Sequence, residues 1–165
     1  MGERGLFRFF DEWRLAAPLE TVATALRDIE AWSQWWPSVR RVTPITGPNG
    51  QAVWQFRFRT RLPYDIVFTT DVLRDDPLVG GVRVRVTGRL DGEGGWRAEL
   101  VEGGTVVRFD WWVRPQLAWM RAAAPLARPL FSWNHRALMA EGAFGLARRL
   151  DTGLLATPVG VLRPA

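Results

Sequence analysis

The sequence predicts an α+β fold: a curved antiparallel sheet of about seven strands wrapped around one long C-terminal helix. Three observations predict it. Seven segments between residues 5 and 113 carry strand patterning, and the clearest of them alternate apolar and polar residues. Such alternation gives a sheet one apolar and one wet face. Residues 116–150 then change to a helical period whose apolar surface is too broad for a helix exposed on half its circumference. That helix is the one element long enough to cover the sheet.

The elements follow in order. GLFRFFDEWRL, residues 5–15, reads as the first strand, with Phe7, Phe9, Trp13 and Leu15 among its alternating positions. Ala17-Pro18 ends it, and Pro18 suits the first turn of a helix. Leu19, Val22, Ala23, Leu26 and Ile29 recur at helical spacing, and a second short helix runs from Asp28 to Pro37. Val39–Ile45 is a weak strand, closed by the turn Gly47-Pro48-Asn49-Gly50. Residues 52–60 place Trp54, Phe56, Phe58 and Thr60 on one face and Gln55, Arg57 and Arg59 on the other. After a bend at Pro63, residues 65–73 align Ile66, Phe68, Thr70 and Val72. Residues 82–90 set Val82, Val84, Val86 and Leu90 against Arg83, Arg85 and Arg89. Trp96–Val101 and Val106–Val113 complete the set. Pro125 and Pro129 predict a break before a main helix that starts at Leu130. In that helix Gly142 and Gly145 permit close backbone approach to the sheet. Residues 1–150 form one domain; 151–165, with two Gly, two Pro and no clear period, read as a tail beyond the fold.

Composition narrows the function. There is no Cys and one His, which excludes disulfides and thiolate metal centres and leaves no nitrogen-rich metal site. No carboxylate cluster resembles a calcium loop, so neither a metal nor a cofactor is expected. The chain shows no secretory signal and no apolar run of roughly 20 residues, so a cytoplasmic protein without an integral membrane span is expected. All 22 basic residues are Arg, and the formal net charge is +5. They are dispersed rather than blocked, which favours a solvated face over a nucleic-acid site. Aromatics and Arg alternate along the strands and so fall on opposite faces. That suits a cavity inside and water outside better than an RNA-stacking platform.

The segments EWRLAAPLETVATAL, WSQWWPSV, LPYDI, VTGRLDGEGGW, TVVRFDWWV and APLARPLFSWNHRALMAEGAFGLARRL carry a family likeness. Together with their order, they resemble the helix-grip fold of the START/Bet v 1-like (SRPBCC) superfamily, in its bacterial branch of polyketide cyclase/dehydrase and lipid-transport-like proteins. The resemblance spans residues 6–150. It implies a ligand cavity between the long helix and the concave face of the sheet. Its lining would come from Trp54, Phe56, Phe58, Phe68, Trp111 or Trp112, and from Phe131, Asn134, His135, Leu138 and Met139. Trp35, Trp36 and Tyr64 would stand at its mouth. Alternation alone leaves open which of Trp111 and Trp112 points inward.

Three functions follow as expectations. The first is binding of a hydrophobic small molecule such as a lipid, aromatic polyketide or isoprenoid, without metal or cofactor. The second is a cyclase/aromatase or dehydratase-like lyase, with His135 as general acid or base and Tyr64 or Asn134 on a substrate oxygen. The third is an interaction module that uses the Arg face. Asn134 and His135 are the anomaly that joins the first two, because Leu would pack better at either position. Each also has a structural reading: a partner in the fold. Ser132 lies three residues before His135, but no GxSxG elbow supports a nucleophile. Asp110 reads as a partner for a neighbouring strand's Arg rather than as an acid. GRLDGEGGW lacks a phosphate-loop pattern and reads as a hairpin. The sequence leaves the oligomeric state open.

Overall fold

The computed structural model describes residues 5–76 and 80–163. The chain opens with β1 (Phe7–Leu15), α1 (Leu19–Arg27), a 3₁₀ turn (Ile29–Ala31) and the single-turn α2 (Trp32–Trp35). A meander follows: β2 (Val39–Thr46), β3 (Ala52–Arg59), β4 (Asp65–Asp76), β5 (Gly81–Gly88), β6 (Leu90–Val101) and β7 (Gly104–Pro115). The long α3 (Ala118–Arg149) and a short β8 (Val159–Arg163) complete the chain. The strands form one antiparallel sheet in the order β2-β3-β4-β5-β6-β7-β1-β8. It is the predicted α+β, helix-grip architecture, with eight strands among the described residues.

Register carries the alternation across the sheet. Phe56 faces Phe68, Thr70 faces Val86, Val84 faces Gly94, Gly94 faces Trp111, and Trp111 faces Phe9. All of these point to the concave side. The convex side carries the arginines, and several are paired across strands: Arg83 with Asp110 and Glu93, Arg85 with Asp91, and Arg108 with Glu12 and Glu99. Asp110 is thus an Arg partner on the wet face, as expected, but its Arg83 lies two strands away on β5, across Gly95 of β6.

Three expectations are corrected. First, α3 does not break at Pro125 and Pro129; it is one helix of 32 residues. The two prolines stand four residues apart on its exposed side, so the carbonyls of Arg121 and Pro125, which lose their helical donors, belong to exposed residues. Second, residues 151–163 are not a tail beyond the fold. Pro158 precedes VGVLR, whose Gly160 and Leu162 pair in register with Asp11 and Phe9, and Leu154 bridges Leu15. The strand covers the edge of β1 that would otherwise expose its backbone groups. Third, GRLDGEGGW turns only at Gly88-Arg89. From Leu90 onward it is β6, whose glycines are strand positions with no room for a side chain. A β-carbon on Gly94 would collide with the indole of Trp111, which lies over it.

The packed core sits at the C-terminal half of α3. Trp13 and Leu146 are fully buried there. A β-carbon on Gly142 would strike the indoles of Trp36 and Trp13, and one on Gly145 would strike the carbonyl of Trp35. The two glycines thus let α3 rest directly on α2 and β1. The helix ends in a Schellman-type cap: Thr152 N–H donates to the Ala147 carbonyl at 2.9 Å and Asp151 N–H to that of Arg148 at 3.2 Å. Asp151 takes the left-handed position with φ of 49°.

Candidate functional site

Under the N-terminal two-thirds of α3, helix and sheet touch along the β1 margin, through Phe131 on Phe7 and His135 on Phe9, and part over the centre of the sheet. They enclose a cavity of about 340 Å³. Its floor is the concave face: Trp54, Phe56 and Phe58 from β3, Phe68 and Thr70 from β4, Val84 from β5, Trp96 from β6, Trp111 from β7, and Phe7 and Phe9 from β1. The roof is Met120, Phe131, Asn134, His135, Leu138 and Met139 of α3. Phe56, Phe58 and Phe68 stack on one another with centroids 5.5–6.2 Å apart, and Trp111 meets Phe68 edge-on at 6.1 Å. Trp36 lines the wall, and its Nε1–H donates to the Leu138 carbonyl at 2.9 Å.

Most side chains named from the sequence meet at this cavity; Trp112 and Trp35 do not. Trp112 points to the convex face, 44% exposed, with the Arg8 guanidinium 5.1 Å from its ring centroid. Trp111 is the inward member of the pair, because it is in register with Phe9 and Gly94. Trp35 is buried between α2 and α3, where its carbonyl meets Gly145, and it stands off the cavity.

Asn134 and His135 have protein partners on opposite margins of the curled sheet. The Asn134 Oδ1 accepts the backbone N–H of Arg61, in the loop after β3, at 2.8 Å. His135 reaches the other way: its Nε2 lies 2.6 Å from Asp11 Oδ2 of β1, and its ring stacks on Phe9 at 3.9 Å. Consecutive helical residues point about 100° apart, so one helix spans both margins. Two turns beyond Asn134, Glu141 holds Ser38 and Arg61.

Asp11 is the residue that sequence reasoning missed. Its side chain is 2% exposed. A signal existed: Asp11 occupies the inward phase of Phe7, Phe9, Trp13 and Leu15, where a carboxylate needs a partner. Gly160 makes room for it, since a β-carbon there would lie 2.6 Å from Asp11 Oδ1. The contact with Asp11 engages Nε2 of His135 and leaves Nδ1 as its other functional nitrogen.

The two ends of the cavity differ. At one, Arg27 of α1 donates to Asp75 of β4 at 2.9 Å. At the other, Tyr64 lines both the cavity and an open groove bordered by Arg40, Arg59 and Asp65. Its ring meets Trp119 edge-on at 5.4 Å. Thr60 Oγ1 fixes this loop by donating to the Tyr64 carbonyl at 2.7 Å and accepting the Leu62 N–H at 3.1 Å. Burial pushes the Tyr64 phenol above its ordinary value of 10.0. Among the described residues no set of three or more His, Cys, Asp and Glu side chains is placed to hold a metal. No helix is long and apolar enough to cross a membrane, again among the described residues.

The fold is matched by known proteins. The family model for polyketide cyclase / dehydrase and lipid transport matches residues 9–151. The chain belongs to this family. Solved structures share the fold. TTHA0849 from Thermus thermophilus aligns with a TM-score of 0.73 at 16% identity, over 87% of this chain and 96% of that one. The Zhui aromatase/cyclase from Streptomyces sp. R1128 aligns with a TM-score of 0.69 at 15% identity, over 88% and 94%. A START superfamily protein from Mycobacterium smegmatis aligns with a TM-score of 0.67 at 18% identity, over 87% and 99%. At these identities the family's cyclase, dehydrase and carrier roles share a fold, and the choice among them rests on the site. No curated protein sequence matches the chain.

Because Tyr64 is the sole tyrosine, ultraviolet titration reads its phenol alone. The midpoint is expected above 10. A phenol raised in the folded state favours folding fully below the unfolded value, and that contribution falls away as pH rises past it. Stability measured by denaturant unfolding should therefore drop from about pH 10 upward. Tyr64→Phe should lessen that drop and leave stability at pH 7 within about 1 kcal/mol of the parent.

Proposed function

We propose that this chain binds one compact, largely apolar molecule with a polar end in the cavity beneath α3. The observation that carries the reading is the cavity itself. About 340 Å³ lies under a helix that the protein holds off its own sheet, and the surrounding wall is aromatic and aliphatic. The volume sits at the small end of ligand pockets, roughly 300–1,000 Å³. It suits a fused-ring aromatic, a short isoprenoid or a single acyl chain, and it is too small for a two-chain lipid. Asn134, His135 and Tyr64 are the polar side chains near the mouth end. Among the described residues no protein group bonds the Asn134 amide nitrogen, the His135 Nδ1 or the Tyr64 hydroxyl. A carbonyl or hydroxyl on the ligand would meet them.

The test is mass spectrometry of an organic extract of the natively purified protein, against a mock purification. Fluorescence displacement with a panel of apolar probes accompanies it. A stoichiometric apolar compound, or saturable probe binding weakened at least 10-fold by a cavity-filling Val84→Trp, is expected. An empty extract with no saturable binding of any probe would overturn the reading.

A second reading is favoured by one observation, the Asp11–His135 pair. A carboxylate that holds one imidazole nitrogen leaves the other to take or give a proton, which is the requirement of a cofactor-free cyclase or dehydratase-like lyase. Tyr64 would donate to the substrate oxygen. With a poly-β-ketone probe that the protein turns over, His135→Ala and Asp11→Asn should each lower kcat by about 100-fold or more. Probe affinity should change little. Unchanged turnover in His135→Ala would remove His135 as the base.

A further inference from the structure

The face of α3 that looks away from the cavity is apolar along almost its whole length. Trp119, Leu126, Leu130, Trp133 and Phe144 are between 45% and 91% exposed. Together with Ala123, Ala137 and Ala140 they recur at intervals of 4, 3, 4, 3, 4, 3 and 4 residues. That is the spacing of a helix–helix seam, in which apolar residues fill every a and d position. None of these residues lines the cavity, and Trp119, whose ring meets Tyr64 edge-on, still leaves half its surface exposed. At 1.5 Å per residue the stripe is about 37 Å long.

We propose that this stripe is the contact face for a second copy of the chain, packed with the two α3 helices antiparallel about a two-fold axis. Three observations choose that occupant. The seam is symmetric about a point between Phe131 and Ser132, so an antiparallel copy brings a positions against d positions throughout. Trp119 then meets Phe144 of the second copy, Leu130 meets Trp133, and Leu126 meets Ala137. Large side chains fall against small or flat ones, and the surface is complementary to itself.

Area agrees. Covering the five large side chains removes on the order of 600 Å² per copy, so two copies reach the roughly 1,200 Å² at which specific interfaces begin. Charge decides against a bilayer. A helix that docks on anionic lipid flanks its apolar stripe with basic residues. Here Arg121, Arg128 and Arg149 project a quarter turn or more from the stripe by helical periodicity, and Arg136, which flanks it, lays its stem against Gly160 of β8. Arg121 instead bonds the Gln116 carbonyl, and Arg128 lies over the Phe7 ring. The charged neighbours nearest the stripe are of mixed sign: one acid, Glu141, and two bases, Arg136 and Arg148. The prolines at 125 and 129 lie off the seam.

Sedimentation velocity across micromolar concentrations tests this, with far-UV circular dichroism as the control for folding. The full chain should sediment as a species of twice its 18.7 kDa mass. Leu126→Glu combined with Leu130→Glu should dissociate at least 100-fold more readily, with an unchanged spectrum. The chain has no cysteine, which permits a second measurement that does not depend on that variant. A mixture of Trp119→Cys and Phe144→Cys chains should cross-link through a short bismaleimide, whereas Trp119→Cys alone should not. A wild-type monomer at 100 μM would overturn the proposal, and so would a dimer that persists in the double variant. A monomer that co-floats with anionic vesicles would overturn it in favour of a membrane face. Self-cross-linking of Trp119→Cys would overturn the antiparallel arrangement.

Discussion

The seating of Gly142 and Gly145 on the Trp13 and Trp36 indoles and the Trp35 carbonyl fixes the height of α3 above the sheet. With no side chain at either position, the backbone of the helix reaches contact at this end. N-terminal to that contact the helix keeps to the β1 margin but diverges from the centre of a sheet that continues to curve. The bulky floor of Phe56, Phe68 and Trp111 does not reach the helix there. Cavity and core are two halves of one interface, set by where the small residues lie.

The divergence has a physical cost. At roughly 24 cal/mol per Å³, an empty apolar volume of this size forgoes about 8 kcal/mol of packing. That is comparable to the whole stability of a typical domain. The fold offsets it with the Trp-rich core and with polar ties on both sides of the helix. Asn134 ties α3 to the loop after β3, His135 ties it to β1, and Glu141 repeats the first tie two turns later. Polarity in the middle of this helix is thus accounted for before any ligand is considered. A molecule in the cavity would recover part of the missing packing, which links ligand binding to stability by mass action.

Much of this was legible in the sequence. Alternation in β3, β4 and β5 identified the inward residues, and the quoted segments with their order pointed to the family. Where the reading fell short, a local rule lost to a tertiary one. Pro125 and Pro129 signal a break only if the freed carbonyls lack water, and here the residues that carry them are exposed. VGVLR is too short to read as a strand until the open edge of β1 is known. Gly92 and Gly94 look like turn residues because Trp111, which needs the space over Gly94, is 17 residues away in sequence. Trp111 and Trp112 are indistinguishable until register is fixed by Phe9. Asp11 was visible as an acid in an apolar phase, but its partner lies 124 residues away, and no spacing rule connects them.

The central claim is that the space beneath α3 is a dry, apolar chamber that stays open without its natural occupant. Xenon binding measures this without knowledge of the ligand, because the atom enters apolar cavities and makes no polar contacts. A ¹²⁹Xe NMR titration of ligand-stripped protein should show a saturable shift, lost when Val84→Trp fills the floor. A shift no larger than that of the filled variant would mean that the chamber collapses when empty, and it would contradict the account.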